Sequence, residues 1–255
     1  MESNRASPQK SGVSGADIET FRAMIAKSRA ILFLGGAGTS TESGIPDFRS
    51  EDAVGRAIKE YGECPEEILS ERFFYQHTET FFDYYRKNLM IEAGPNKAHY
   101  ALSRLEQAGK LLSIVTQNID TLHQKAGNRR VLQLHGSVEE NRCVDCGRYF
   151  PASFVRDFPG VPRCPDCGHI VKPGVTLYGE DLDEYVLRAA RARMFSADML
   201  IVAGTSLNVY PAADLPQFFM GKRLVVINRT PLPLDGRADL VFTANVGDVL
   251  PLAVP

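Results

Sequence analysis

Six short apolar runs recur along the chain, at residues 30–34, 111–115, 131–134, 199–203, 224–227 and 240–242, with helix-like segments at 16–28, 98–108, 183–195 and 213–220 around them. Runs of this length suit strands, and their uniform apolarity leaves no wet face, so both faces must be covered. Alternation of such strands with helices is a βαβ rhythm and predicts a mainly parallel, doubly wound α/β sheet. At 255 residues the chain can form that sheet over a sizeable core and still carry a second, smaller unit.

Ligands of such sheets bind beyond the carboxyl ends of the strands, so the residues after each run are the informative ones. The first run delivers the small-residue stretch Gly35-Gly36-Ala37-Gly38-Thr39-Ser40-Thr41, then Ser43-Gly44-Ile45-Pro46-Asp47-Phe48-Arg49. Small residues let backbone N–H groups approach a pyrophosphate, and the hydroxyls of Thr39, Ser40 and Thr41 add donors. The loop departs from G-x-G-x-x-G, because Thr41 stands where the third glycine belongs. The other run ends are polar too: Thr116-Gln117-Asn118-Ile119-Asp120, His135-Gly136-Ser137, Gly204-Thr205-Ser206 and Asn228-Arg229-Thr230. Five strand ends are therefore expected to converge on one polar rim.

Two stretches break the rhythm. Residues 51–95 are helical in character and rich in aromatics, including Phe73, Phe74, Phe81, Phe82, Tyr84 and Tyr85, which predicts a helical insertion with its own packed core. Residues 141–172 carry Cys143-Val144-Asp145-Cys146 and Cys164-Pro165-Asp166-Cys167, two C-x-x-C pairs with seventeen residues between them. That is the spacing of a tetrahedral four-thiolate Zn²⁺ site. Gly147 and Gly168 directly follow the pairs and suit turns that aim backbone N–H groups at thiolate sulfur. Four thiolates close the coordination sphere, so the zinc is expected to be structural. Arg142, Arg148, Arg156 and Arg163 nearby keep a nucleic-acid-binding zinc ribbon as the rival, and Cys64, the fifth cysteine, reads as a thiol without a chemical role.

Charge and patterning exclude several classes. With 29 Lys+Arg against 31 Asp+Glu the formal charge is −2, so no basic field favours nucleic acid and no direct nucleic-acid partner is expected. No run reaches the eighteen apolar residues of a membrane span, and the first sixteen residues lack a signal-peptide core; a cytoplasmic protein without membrane attachment is expected. Residues 1–15, polar and without periodicity, read as a flexible leader.

The ordered set Gly36-Ala37-Gly38-x-Ser40, Gly44-Ile45-Pro46-Asp47-Phe48-Arg49, Thr116-Gln117-Asn118-Ile119-Asp120-x-Leu122-His123, Leu134-His135-Gly136, the two C-x-x-C pairs and Gly204-Thr205-Ser206-Leu207 resembles the sirtuins over about residues 16–250. That resemblance implies an NAD-dependent protein lysine deacylase, which consumes NAD and transfers the acyl group to ADP-ribose with release of nicotinamide. It implies a Rossmann-like NAD-binding domain from residues 16–50, 96–140 and 173–255. The small domain would be the 51–95 insertion with the 141–172 zinc module. NAD and an acetylated protein or peptide would enter the cleft between them from opposite sides.

Residue by residue, the resemblance assigns the phosphates to Ala37 and Thr41, and the nicotinamide and ribose side to Phe48 and Arg49 in a mobile lid. Gln117 and Asn118 would hold the ribose, Ile119 and Asp120 the nicotinamide, and Thr205, Ser206, Asn228 and Asp248 the adenosine half. His135 would be the general base, because a ribose hydroxyl must lose a proton during acyl transfer and a neutral imidazole suits that step. Asp47 and Asp120 also admit plainer roles as a loop cap and a structural acceptor, and His77, His99, His123 and His169 read as structural. Acyl-lysine would thread as an added strand between Val175, Thr176, Tyr178 and Gly179 on one side and Asn208 and Val209 on the other.

Family members that remove acidic acyl groups carry Tyr-x-x-Arg in the helical insertion; here Tyr84 is followed by Lys87 and Tyr85 by Asn88, which favours acetyl. Three rivals remain at this level: a protein ADP-ribosyltransferase, a non-enzymatic NAD-sensing zinc-ribbon module, and a hydride-transferring dehydrogenase.

Overall fold

The computed structural model describes residues 10–11 and 13–254. In chain order it contains β1 (Lys10–Ser11), α1 (Gly15–Lys27), β2 (Ile31–Gly35), α2 (Glu51–Tyr61), α3 (Pro65–Ile68), α4 (Glu71–Gln76), α5 (Thr78–Asn88), α6 (Lys97–Gln107), β3 (Leu111–Thr116) and α7 (Leu122–Lys125). There follow β4 (Val131–Gln133), β5 (Gly136–Cys143), β6 (Tyr149–Phe150), α8 (Ala152–Asp157), β7 (Val171–Val175), α9 (Glu184–Ser196), β8 (Met199–Ala203), β9 (Arg223–Ile227), β10 (Leu240–Phe242) and α10 (Val246–Ala253).

Seven strands form one sheet in the order β1-β10-β9-β8-β2-β3-β4, and every pairing is parallel. All six expected runs are strands of it. Side chains alternate between the faces as the pleat demands: Ile31, Phe33, Ile201 and Val225 pack with α1, α6 and α10, while Leu32, Leu34, Leu200 and Val226 pack under α9. From β2 the chain steps outward to β3 and β4, and from β8 it steps the other way to β9 and β10. The order therefore reverses between β2 and β8, and a crevice opens at their carboxyl ends.

Three sequence expectations are refined. Within the expected leader, Lys10–Ser11 pairs with β10 as an edge strand and α1 starts at Gly15; residues 1–9 and 12 lie outside the described residues. Residues 213–220 are not an α-helix: Ala212–Phe218 is a 3-10 helix, and Pro216 inside it has no N–H for an α-helical ladder. The antiparallel sheet of the cysteine module, β6-β5-β7, extends past 141–172 at both ends, from Gly136 to Val175.

The two breaks in the βαβ rhythm share one core. Phe74, Phe81, Phe82 and Tyr85 of the helical insertion cluster with Val155, Val171, Cys143 and Cys164 of the cysteine module. Phe81 meets Phe74 and Phe82 edge to face, with ring centroids 4.9 and 5.4 Å apart.

Candidate active site

The crevice begins with a close approach of two backbones. Gly36 N–H donates to Ala203 O at 3.3 Å and Gly38 N–H to Gly204 O at 2.8 Å, tying the loop after β2 to the loop after β8. A Cβ on Gly38 would lie 2.7 Å from the Gly204 Cα, and one on Gly204, whose φ is +58°, would lie 2.6 Å from the Gly38 carbonyl carbon. These glycines thus serve a backbone contact inside the protein in addition to any approach to a pyrophosphate. Beyond the contact the loop forms two 3-10 turns, Ala37–Thr39 and Thr41–Ser43.

Around this loop four of the five polar strand ends converge; the fifth, Asn228-Arg229-Thr230 after β9, does not line the cleft. One cleft is lined by Gly36, Ala37, Ser40, Phe48, Arg49, Gln117, Asn118, Ile119, Asp120, His135, Gly204, Thr205 and Ser206. The same cleft includes Val175, Thr176, Tyr178, Gly179 and Val209, with apolar cover from Ile45, Leu69 and Leu89. Thr41, Asn208, Asn228 and Asp248 do not line it. Thr41 Oγ1 turns back to Gly38 O, Asn208 is exposed, and Asn228 Nδ2 donates to Thr230. Asp248 is exposed in the first turn of α10, where Asn245 donates to it.

The polar side chains form a connected network. Ser40 Oγ donates to Asp120 Oδ2 at 2.8 Å and accepts from Asn118 Nδ2 at 3.0 Å. Gln117 Nε2 donates to Thr205 Oγ1 at 2.8 Å, and that hydroxyl oxygen also accepts the Leu207 N–H. Asp120 Oδ1 accepts the Leu122 N–H at the start of α7, so this carboxylate orders its own loop and still faces the cleft.

His135 Nδ1 lies 2.8 Å from Gln117 O. A carbonyl only accepts, so the proton sits on Nδ1 and Nε2 carries the lone pair. Burial lowers the pKa of this imidazole, and the Arg49 charge adds to the shift, against a smaller opposing effect of the Gln117 carbonyl. The neutral form is therefore more favoured in His135 than in a solvent-exposed histidine.

Residues 45–49 line the cleft as one continuous segment. Asp47 Oδ1 accepts the Arg49 N–H, an Asx turn in keeping with the loop-cap alternative, although Asp47 also lines the cleft. The Arg49 guanidinium stacks 4.5 Å over the Phe48 ring and donates to Tyr178 Oη at 2.7 Å, which joins the segment to the stretch after β7. Lys87 lies outside the cleft, exposed and paired with Asp83 and Glu60, while Asn88 is the residue of that helix which lines it.

The four cysteine sulfurs lie within 4.8 Å of one another, with Cys143–Cys167 at 3.3 Å, Cys146–Cys167 at 3.6 Å and Cys146–Cys164 at 3.7 Å. A tetrahedron with Zn–S bonds of about 2.3 Å spaces its sulfurs by about 3.8 Å, so the cluster fits zinc. Gly147 and Gly168 adopt positive φ, but their N–H groups close the turns onto the Cys143 and Cys164 carbonyls. The N–H groups that reach Cys146 and Cys167 sulfur belong to the next residues, Arg148 and His169. None of the four cysteines lines the cleft. The nearby arginines are engaged internally: Arg148 with Asp166, Arg156 with Glu92, Arg163 with Gly168 O and Arg142 over the Tyr149 ring.

A doubly wound sheet with a glycine loop at its switch point, an amide–carboxylate–imidazole rim and a remote four-thiolate module defines a class of zinc-stabilised, dinucleotide-binding proteins. The Sir2 family profile matches residues 36–211, and the chain belongs to that family. It is 47% identical over 235 residues to an NAD-dependent protein deacetylase of Clostridium acetobutylicum, covering 91% of this chain and 96% of that one. With the NAD-dependent protein deacetylase of Cutibacterium acnes it shares 50% identity over 227 residues, 89% of this chain and 93% of the relative. The fold superposes on a Sir2 homologue in complex with NAD with a TM-score of 0.87 at 36% identity, covering 97% of this chain and 95% of the other. A Sir2 protein bound to acetylated peptide superposes with a TM-score of 0.81 at 35% identity, covering 91% and 95%.

Proposed function

We infer that this chain is an NAD-dependent protein lysine deacetylase whose general base is His135. The observation that carries the reading is the fixed tautomer of His135: an Nδ1–H held by Gln117 O and an unprotonated Nε2 in the cleft that holds the glycine loop. Bound NAD supplies a ribose with a nicotinamide leaving group and hydroxyls that can accept an acyl group. The cleft suits it, with backbone of Gly36, Ala37 and Gly204, hydroxyls of Ser40, Thr205 and Ser206, two side-chain amides and the Asp120 carboxylate.

In this reading Ala37 and the 3-10 turns hold phosphate. Gln117 and Asn118 orient the ribose, Ile119 and Asp120 hold the carboxamide, and Phe48 with Arg49 covers the nicotinamide side. His135 Nε2 takes a proton from a ribose hydroxyl while Gln117 O keeps the ring in place. Thr205 and Ser206 serve the adenosine half; Asn228 and Asp248, away from the cleft, are the outer candidates. The zinc has no open position and stabilises the small domain.

The acyl-lysine segment passes Val175, Thr176, Tyr178, Gly179 and Val209. The N–H groups of Thr176, Leu177 and Tyr178 are already engaged by His135 O, Glu180 Oε2 and Leu69 O, so an added strand draws on carbonyls of this segment and on the 208–210 side. Acetyl is the favoured acyl group, because Asn88 and Leu89 line the cleft where an acidic acyl would need a cation. Partners are acetylated proteins, and a cytoplasmic setting agrees with the finding that no helix among the described residues is long and apolar enough to cross a membrane. The test is an acetyl-lysine peptide incubated with and without NAD: loss of the acetyl group only with NAD is expected, and loss without NAD, or none with it, overturns the reading.

A further inference from the structure

The loop that is to hold the NAD phosphates is anchored from behind by a residue that does not line the cleft. Asn96 is the N-cap of α6, and its side-chain oxygen accepts the Ala98 N–H at 2.9 Å. The other half of the same amide points away from the helix: Nδ2 donates to Thr39 O at 2.8 Å and to Ser43 Oγ at 3.0 Å. Both protons of the Nδ2 group are thus committed, one to each 3-10 turn of the loop. The Asn96 N–H donates to the Nδ1 of His99, which completes a capping box and fixes the amide against the buried first turn of α6. At the loop's far side Glu42 Oε2 accepts the Gly247 N–H of α10 at 2.8 Å.

Thr39 directly precedes Ser40, whose hydroxyl joins Asn118 to Asp120. A displacement of the Thr39 carbonyl therefore moves the centre of the polar rim. We propose that Asn96 is a positioning residue for the cofactor, acting through the Thr39 carbonyl and the Ser43 hydroxyl to hold the phosphate loop in its binding form before NAD arrives. The proposal rests on the reading of this cleft as an NAD site. Ordering the loop in advance lowers the entropic cost of binding, so the effect belongs to cofactor affinity and not to the chemical step.

Two variants test it. Asn96→Asp keeps the capping oxygen and the side-chain shape while removing both N–H donors and setting a carboxylate against the Thr39 carbonyl. Ser43→Ala removes one of the two acceptors and leaves the cap intact. Asn96→Asp is expected to raise KM for NAD by about tenfold or more, with kcat within about twofold and KM for the acetyl-peptide unchanged. Calorimetry with ADP-ribose, a probe that cannot react, should show the same loss of affinity. Ser43→Ala should give a smaller loss of the same kind, and the double variant should lose less than the product of the two, since they share a contact. Equal KM and ADP-ribose affinity in a folded Asn96→Asp, or a fall in kcat and Tm without a change in affinity, overturns the proposal, as does an unchanged Ser43→Ala. Absence of NAD-dependent activity in the unaltered protein would instead refute the functional reading, so the two failures are distinguishable.

Discussion

The two walls of the cleft are held by different means. On the sheet side, Ser40, Gln117, Asn118, Asp120, Thr205 and His135 are joined by hydrogen bonds to one another or to neighbouring backbone; all but His135, which follows the half-buried edge strand β4, sit beyond strands buried on both faces. On the other side, Leu69, Asn88 and Leu89 of the helical insertion and Tyr178 after β7 border a core of packed aromatic rings that also holds cysteines of the sulfur cluster, which does not reach the cleft. Polar groups that must do chemistry are fixed by directional bonds at a rigid rim. The opposing wall supplies shape and cover, and its stability depends on a metal.

Removal of the zinc is the largest way to break this contrast. A strong chelator, or Cys164→Ser at a buried ligand, should release one zinc per chain, unfold the small domain and abolish activity while parallel-sheet structure persists; metal analysis with circular dichroism checks it. At the rim, His135→Ala should slow turnover by about 10²–10⁴-fold while NAD affinity, read by calorimetry, is kept. A normal rate in that variant would move the base elsewhere.

Gly38→Ala strikes the rigid wall at the switch point, because its Cβ would meet Gly204 backbone, which cannot rotate aside as a side chain can. A cost of about 1–3 kcal/mol is expected, visible as a lower Tm and weaker NAD binding.

A smaller effect concerns the buried pair beneath the rim. The rings of His99 and His123 meet at a tilt with centroids 4.7 Å apart, and burial lowers the pKa of both below the ordinary 6.5, opposed at His99 by the Asp120 charge and reinforced at His123 by the neighbouring His99. The unfolded chain then binds more protons than the folded one below pH 6.5, so stability is complete above that pH and falls as the pH drops, by up to about 1.4 kcal/mol per unit for each histidine. His123→Phe should flatten the dependence of Tm on pH between 7 and 5. Smallest of all, Lys87→Ala should leave Tm and acyl preference unchanged, because this exposed residue pairs with Asp83 and Glu60 away from the cleft; a changed acyl preference on a peptide panel would bring it back into the site.

Much of this was legible in the sequence, for identifiable reasons. Strands buried on both faces announce themselves by unbroken apolar runs, and the polar residues after four of them meet at one rim, while those after β9 turn away from it. The cysteine spacing encodes its own geometry. What stayed hidden depends on partners distant in sequence. Asn96 looks like any helix cap until Thr39 and Ser43 are found beside it, and Glu42 looks like a loop acid until the Gly247 N–H appears. Gly36 and Gly38 were legible as glycines required by close approach, but that approach is to Gly204 and Thr205. The choice between Lys87 and Asn88 turned on which helix face the aromatic core claims, and Tyr84 and Tyr85 are both buried in that core. The 212–218 segment carries helical composition, and a single proline made it a 3-10 helix.

Whether the rim breaks NAD and passes the acyl group to its ribose is decided by mass spectrometry of one reaction with NAD and an acetyl-lysine peptide. That chemistry is expected to give one nicotinamide, one free-lysine peptide and one O-acetyl-ADP-ribose for each NAD consumed. ADP-ribose attached to the protein or peptide, reduced nicotinamide cofactor, or acetate released without loss of NAD would contradict it.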